Sequence, residues 1–221
     1  MIARKRFLLL ALTCALSCFW VPAVAQTSGT FIAPATNVIF SAGGNADPAD
    51  FQQGGSNIAT YPTDIPLPVG AASVIFSDVH GLVDCCGRNS SQLNGPDGKT
   101  NGPTNLTSVN SISGTKDTRV SMFLVGVFVD GTPSGPAPPT LTFDNGTFLI
   151  ASPLLDQVFY VGDGHQGFKH PSGATQTFIV PAGATDLYLG FADGSGFSGY
   201  PGYYGDNYGS VSGNYQINMS E

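Results

Sequence analysis

No part of this chain sustains a helical hydrophobic period over three turns. Short apolar runs recur instead, each closed by Gly, Pro, Asn or Asp. Residues 61–68, 71–76, 120–129, 141–143, 148–151, 157–161, 175–180 and 186–191 read as strands. The segments Pro68-Val69-Gly70, Asp144-Asn145-Gly146 and Pro181-Ala182-Gly183 read as turns, with 144–146 a strong hairpin signal. Fourteen of the fifteen acidic residues are Asp, and Glu221 is the one Glu, which also disfavours helix. This pattern predicts an all-β sandwich of about eight or more antiparallel strands.

Within that frame, 120–129 (VSMFLVGVFV) is continuously apolar and is expected to be a central strand buried on both faces. Residues 26–55 are rich in Ala, Gly, Pro and Asn and are expected to form an extended arm or an edge strand. Residues 88–116 are polar and are expected to be a long loop, a feature that in compact domains is usually functional or disordered. The Pro-rich 133–139 is a spacer inside one domain spanning 56–221.

The first 25 residues carry an export signal. Arg4, Lys5 and Arg6 form a basic start, an apolar core follows, and Ala23-Val24-Ala25 is a small-residue cleavage site. The expected product is secreted or periplasmic, cut after Ala25, with no membrane insertion after cleavage. Cys18 offers a lipoprotein alternative on an imperfect match. Loss of the three basic residues takes the formal charge from −7 to −10, which argues against nucleic acid or anionic membranes as partners. Cys85 and Cys86 then remain as an adjacent pair, which reads equally as a vicinal disulfide or as two thiols. Neither reading gives a disulfide scaffold, so packing must hold the fold.

Chemistry concentrates at 187–214, LYLGFADGSGFSGYPGYYGDNYGSVSGN. A strand leads into a Gly- and Tyr-rich loop carrying Asp193, Asp206 and Asn207, and Ser210 to Ser212 begin a return strand. Carboxylate, amide and main-chain oxygens on a tightly folded loop suit a hard cation such as Ca²⁺. An ordinary hairpin loop with scattered Asp is the competing reading. The order Asp, Gly-rich loop, then Gly-Asp-Asn-x-Gly-Ser resembles the bacterial galactophilic calcium lectins and their galactose-binding jelly-roll relatives. That resemblance implies a jelly-roll-like sandwich and a calcium ion held by Asp193, Asp206, Asn207 and the carbonyl of Tyr203. It also implies one backbone oxygen from the Asp84-Cys85-Cys86 corner, represented by Cys85, and sugar hydroxyls bound by the ion.

Asp193 and Asn207 would then touch carbohydrate as well. Gly95-Pro96-Asp97-Gly98 matches a turn that the family uses near the sugar, which makes Asp97 a candidate contact. The family's His and Gln do not follow that turn here, so sugar identity does not carry over. Tyr204 belongs to a tyrosine cluster that could stack on a sugar face or pack the loop against itself.

A Gly-x-Ser-x-Gly elbow, EF-hand spacing and tandem calcium repeats are all absent from the sequence. We therefore expect a non-enzymatic protein. It is either a calcium-dependent glycan- or polysaccharide-binding module or an extracellular structural or matrix protein in which calcium only pins a loop.

Overall fold

The computed structural model describes residues 26–87, 93–100 and 102–220. Residues 1–25, where a leader and Cys18 were expected to matter, lie outside the described residues, as do 88–92 of the expected long loop. Thirteen strands in three sheets make up the described chain, and its helical elements are short 3-10 turns. Among the described residues no helix is long and apolar enough to cross a membrane.

The largest sheet runs in the order β1 (Gln26–Pro34), β13 (Tyr208–Met219), β3 (Ala71–Asp84), β10 (Thr177–Ile179) and β8 (Ile150–Ala151). A second runs β2 (Thr63–Pro66), β11 (Asp186–Phe191), β6 (Leu124–Val129) and β9 (Phe159–Tyr160). A third joins β12 (Ser198–Gly199), β4 (Thr104–Leu106), β5 (Thr115–Asp117) and β7 (Leu141–Phe143).

Most pairings are antiparallel, but β8–β10, β12–β4 and β5–β7 are parallel, which corrects the expectation of a wholly antiparallel sandwich. These three pairs join strands of two or three residues across long connections. No tight turn there imposes an antiparallel direction.

An aromatic column joins the two larger sheets. Phe31 (β1) meets Phe76 (β3) at 5.8 Å between ring centroids, and Phe76 meets Phe178 (β10) at 5.5 Å. Phe178 in turn meets Phe159 (β9) at 5.2 Å, which stacks on Phe128 (β6) at 5.1 Å. Gly126 makes the last step possible, because a Cβ there would lie 2.7 Å from the Phe159 ring. A side branch through Phe148 and Phe143 carries the apolar core to the third sheet.

Three further expectations are corrected. The strand in 120–129 starts only at Leu124, because Met122 takes a positive φ, although the whole run is buried. The expected loop 88–116 contains β4 and the start of β5. Asn145 and Gly146 do take the positive φ of a tight turn, yet β7 and β8 separate into different sheets. Asp117 accounts for part of this, since its Oδ2 accepts from the Asn145 N–H at 2.9 Å and ties the turn to β5.

Phe178 touches rings from both sheets, so Phe178→Ala should cost about 3–5 kcal/mol of stability. Urea unfolding of the two proteins measures this, and a loss below about 1 kcal/mol would mean that the column does not hold the sheets together.

Candidate functional site

Asp193 follows the end of β11, and Asp206 and Asn207 immediately precede β13. These strands belong to different sheets, so the 192–207 segment is a crossing between sheets rather than a hairpin loop. β13 pairs with β3 in a register that sets Tyr208 opposite Asp84. The crossing and the Asp84-Cys85-Cys86 corner therefore meet at one edge of the molecule, and the Gly87 N–H donates to the Asp206 carbonyl at 3.0 Å.

Segments far apart in sequence hold this edge in place. The 3-10 turn Pro48–Phe51 leads into 52–57, which wraps the turn at 203–207. Gly205 N–H donates to the Gln53 carbonyl at 3.0 Å, Asn57 N–H donates to the Gly205 carbonyl at 2.9 Å, and Asn57 Nδ2 donates to the Asn207 carbonyl at 2.7 Å. The approach is so close that a Cβ on Gly55 would stand 2.3 Å from the Gly205 oxygen. Asn207 Nδ2 donates to the Ala35 carbonyl at 3.0 Å, which leaves Oδ1 as the atom free to accept. Little of this was legible in the sequence. The Gly54-Gly55 pair was its one signal, and composition reads 26–55 as an arm or an edge strand, of which Gln26–Pro34 is the edge strand β1.

Asp193 is 2% exposed and Asn207 1%. Asp193 Oδ1 accepts from the Gly194 N–H at 2.7 Å. Among the described residues ten buried side-chain oxygens have no hydrogen-bond partner, and Asp193 Oδ2, Asp206 Oδ1, Asn207 Oδ1 and Asp84 Oδ2 are four of them. Buried oxygens normally have a donor, and leaving one unpaired costs roughly 1–3 kcal/mol, more when it is charged. Oxygens left without a donor suit a hard cation, while the Asn207 amide is the one side-chain donor among these residues that acts on Asp193.

Burial pushes the Asp193 carboxyl up to about 8; the Asn207 side chain and the Gly194 N–H pull against that, and the nearby Asp206 charge adds to it. Burial also raises Asp206, and the Asp84 charge raises it further.

Asp193, Asp206 and Asn207 thus come together. The Tyr203 carbonyl is in the same turn, accepting from the Asp206 N–H at 3.3 Å, and Tyr203 itself takes a left-handed φ of 72°. Cys85 and Cys86 are joined as a vicinal disulfide, so only oxygens of that corner remain as hard donors.

Two carbohydrate-contact expectations are corrected. Tyr204 is fully buried; its hydroxyl donates to the Phe191 carbonyl at 2.7 Å and accepts from the Asp193 N–H at 3.3 Å. It anchors the end of β11 and offers no ring face to a ligand. Asp97 is also buried, with Oδ1 accepting from the Tyr160 hydroxyl and the Asp163 N–H and Oδ2 from the Lys169 N–H at 2.7 Å. Those three donors hold the 160–169 segment, which accounts for that carboxylate structurally. The exposed rings beside the crossing are Tyr200 and Tyr203.

No family model matches the chain, and neither a curated protein nor a solved structure matches it.

The buried Asp193 carboxyl sets a pH dependence in chelator. Its folded pKa of about 8 stands above the ordinary 3.8, so the folded protein binds this proton more tightly than the unfolded chain. The stability this contributes is complete below about pH 4 and is lost as pH rises toward 8. Calorimetric melting in chelator should show the midpoint falling by about 5 °C or more from pH 5 to pH 8. Asp193→Asn should flatten that fall, and an equal slope in the variant would assign it to other groups.

Proposed function

We propose that the chain is an exported calcium-binding, lectin-like module on a jelly-roll-like sandwich related to galactose-binding domains, with 56–221 as the module and 1–25 as a cleaved leader. The observation that carries this reading is the set of buried, donor-less oxygens on Asp193, Asp206 and Asn207. In this reading those three side chains and the Tyr203 carbonyl hold Ca²⁺, with an oxygen from the Cys85–Cys86 corner completing the protein's share. Calcium takes six to eight oxygens, so positions remain for the hydroxyl oxygens of a glycan or polysaccharide. Tyr200, 61% exposed and stacked near-parallel to Phe51, is a fixed ring on which a sugar could rest.

A second reading, an extracellular structural or matrix protein, draws on the depth of the site. Asp193 and Asn207 are almost wholly enclosed, which favours an ion that clamps the crossing to its neighbours. In neither reading does calcium perform covalent chemistry, and no enzyme activity is proposed.

Titration calorimetry of the mature protein with CaCl₂ tests the shared premise. Asp206→Asn keeps the shape and removes one charge, so calcium affinity should drop at least about tenfold with the fold intact. Equal affinity in the variant, or no binding by the parent, overturns the site. Retention on a glycan array in calcium, abolished by chelator, supports the lectin reading. Calcium binding with raised melting temperature and no retention on any glycan supports the structural one.

A further inference from the structure

We propose that the Cys85–Cys86 disulfide is the closed form of a soft-metal site. Once a dithiol has reduced it, the two sulfurs and the Asp84 carboxylate hold one thiophilic divalent cation of the zinc or cadmium kind. Such a site is independent of the calcium reading, which takes only an oxygen from this corner.

Asp84 ends β3, and the two cysteines follow it directly. A carboxylate oxygen of Asp84 and the two sulfurs all lie within 4.8 Å of one another, the one such three-residue grouping of His, Cys, Asp or Glu side chains among the described residues. Asp84 is 1% exposed, and its Oδ1 accepts from the Cys86 N–H at 2.8 Å, which ties the carboxylate to the corner. Its Oδ2 has no hydrogen-bond partner among the described residues, which costs free energy until a cation or a proton donor answers it. Cys85 is buried and Cys86 exposed, so a reductant or an ion reaches the pair from the Cys86 side.

A stabilising disulfide restrains the unfolded chain by closing a long loop, and this one joins sequence neighbours. Its value therefore lies in chemistry rather than in stapling. A dithiol gives two electrons and two protons to the S–S bond, which becomes two thiols, and the reductant leaves as its own cyclic disulfide. The ion then displaces both protons, because the thiolate and not the thiol is the ligand. Two thiolates suit zinc or its softer analogue cadmium, a carboxylate is an accepted third ligand, and water takes the fourth tetrahedral position. In the oxidised corner the sulfurs are bonded to each other and hold no ion, so the redox state of the pair sets whether the site exists.

The test uses the mature protein, whose only cysteines are Cys85 and Cys86. It is kept oxidised, or reduced with dithiothreitol and desalted under nitrogen, and then titrated with CdCl₂. The reduced parent should take up one Cd²⁺ per chain with a sulfur-to-cadmium charge-transfer band, and the oxidised parent should show none. Cys86→Ser should lower the affinity of the reduced protein at least about tenfold and weaken the band. Asp84→Asn keeps both thiols and the shape, so affinity should again fall at least about tenfold while the band per bound ion stays. Asp78→Asn, which alters an exposed acid on the same strand, should change neither quantity.

A reduced parent that takes up no ion overturns the proposal. Loss of the fold on reduction, seen by circular dichroism, does the same, because the site belongs to the folded corner. Equal uptake by the oxidised parent assigns the ion to other residues and overturns it too. Parental affinity in a folded Asp84→Asn variant removes the carboxylate from the ligand set, and with it the three-ligand site. If Asp84→Asn does not fold, Asp84→Ser is read in its place by the same criteria.

Discussion

Burial of aromatic rings between two sheets is the interaction on which the remaining structure depends. The disulfide joins neighbours in sequence and closes no loop of consequence, so it restrains the unfolded chain very little. Charged residues are few, and the short third-sheet strands add few ladder hydrogen bonds. The column from Phe31 through Phe76, Phe178 and Phe159 to Phe128 therefore supplies the contact that sets sheet against sheet. Asp84 ends β3, and Asp193 and Asp206 lie just outside the ends of β11 and β13.

The site is costly by the same logic. Asp193, Asp84 and Asn207 lie in a low-dielectric edge of the core, where an unpaired oxygen is penalised more than at a surface. Backbone contacts from three distant segments hold them there: Ala35 on Asn207, Gln53 and Asn57 on the 203–207 turn, and Gly87 on Asp206. Such support fixes the positions of these side chains within the fold itself. The Asp97 cluster contrasts with this. It too is a buried carboxylate, but three protein donors answer its oxygens, and its role is accounted for within the fold.

Part of this was legible in the residues alone. Alternating and continuous apolar runs marked β2, β6, β10 and β11, because strand periodicity is a local property that burial enforces. Asp193, Asp206 and Asn207 were legible as oxygen-bearing side chains gathered on one Gly-rich loop, because residue type and spacing are read directly from the chain. The parallel pairings were not legible, since strands of two or three residues carry too little pattern to indicate a partner. Tyr204 was misread for a related reason: a tyrosine in a polar loop has the same letter whether its ring faces water or the core.

The sequence by itself determined that the chain is built of β-strands and that one loop concentrates hard oxygen donors. Strand propensity, turn residues and ligand chemistry are all local. Only the tertiary structure decided that this loop crosses between two sheets, that the amino-terminal segment wraps it, and that Asp84 pairs opposite Tyr208. Those facts depend on strand register and on which sheet each strand joins, and packing across the whole chain sets both.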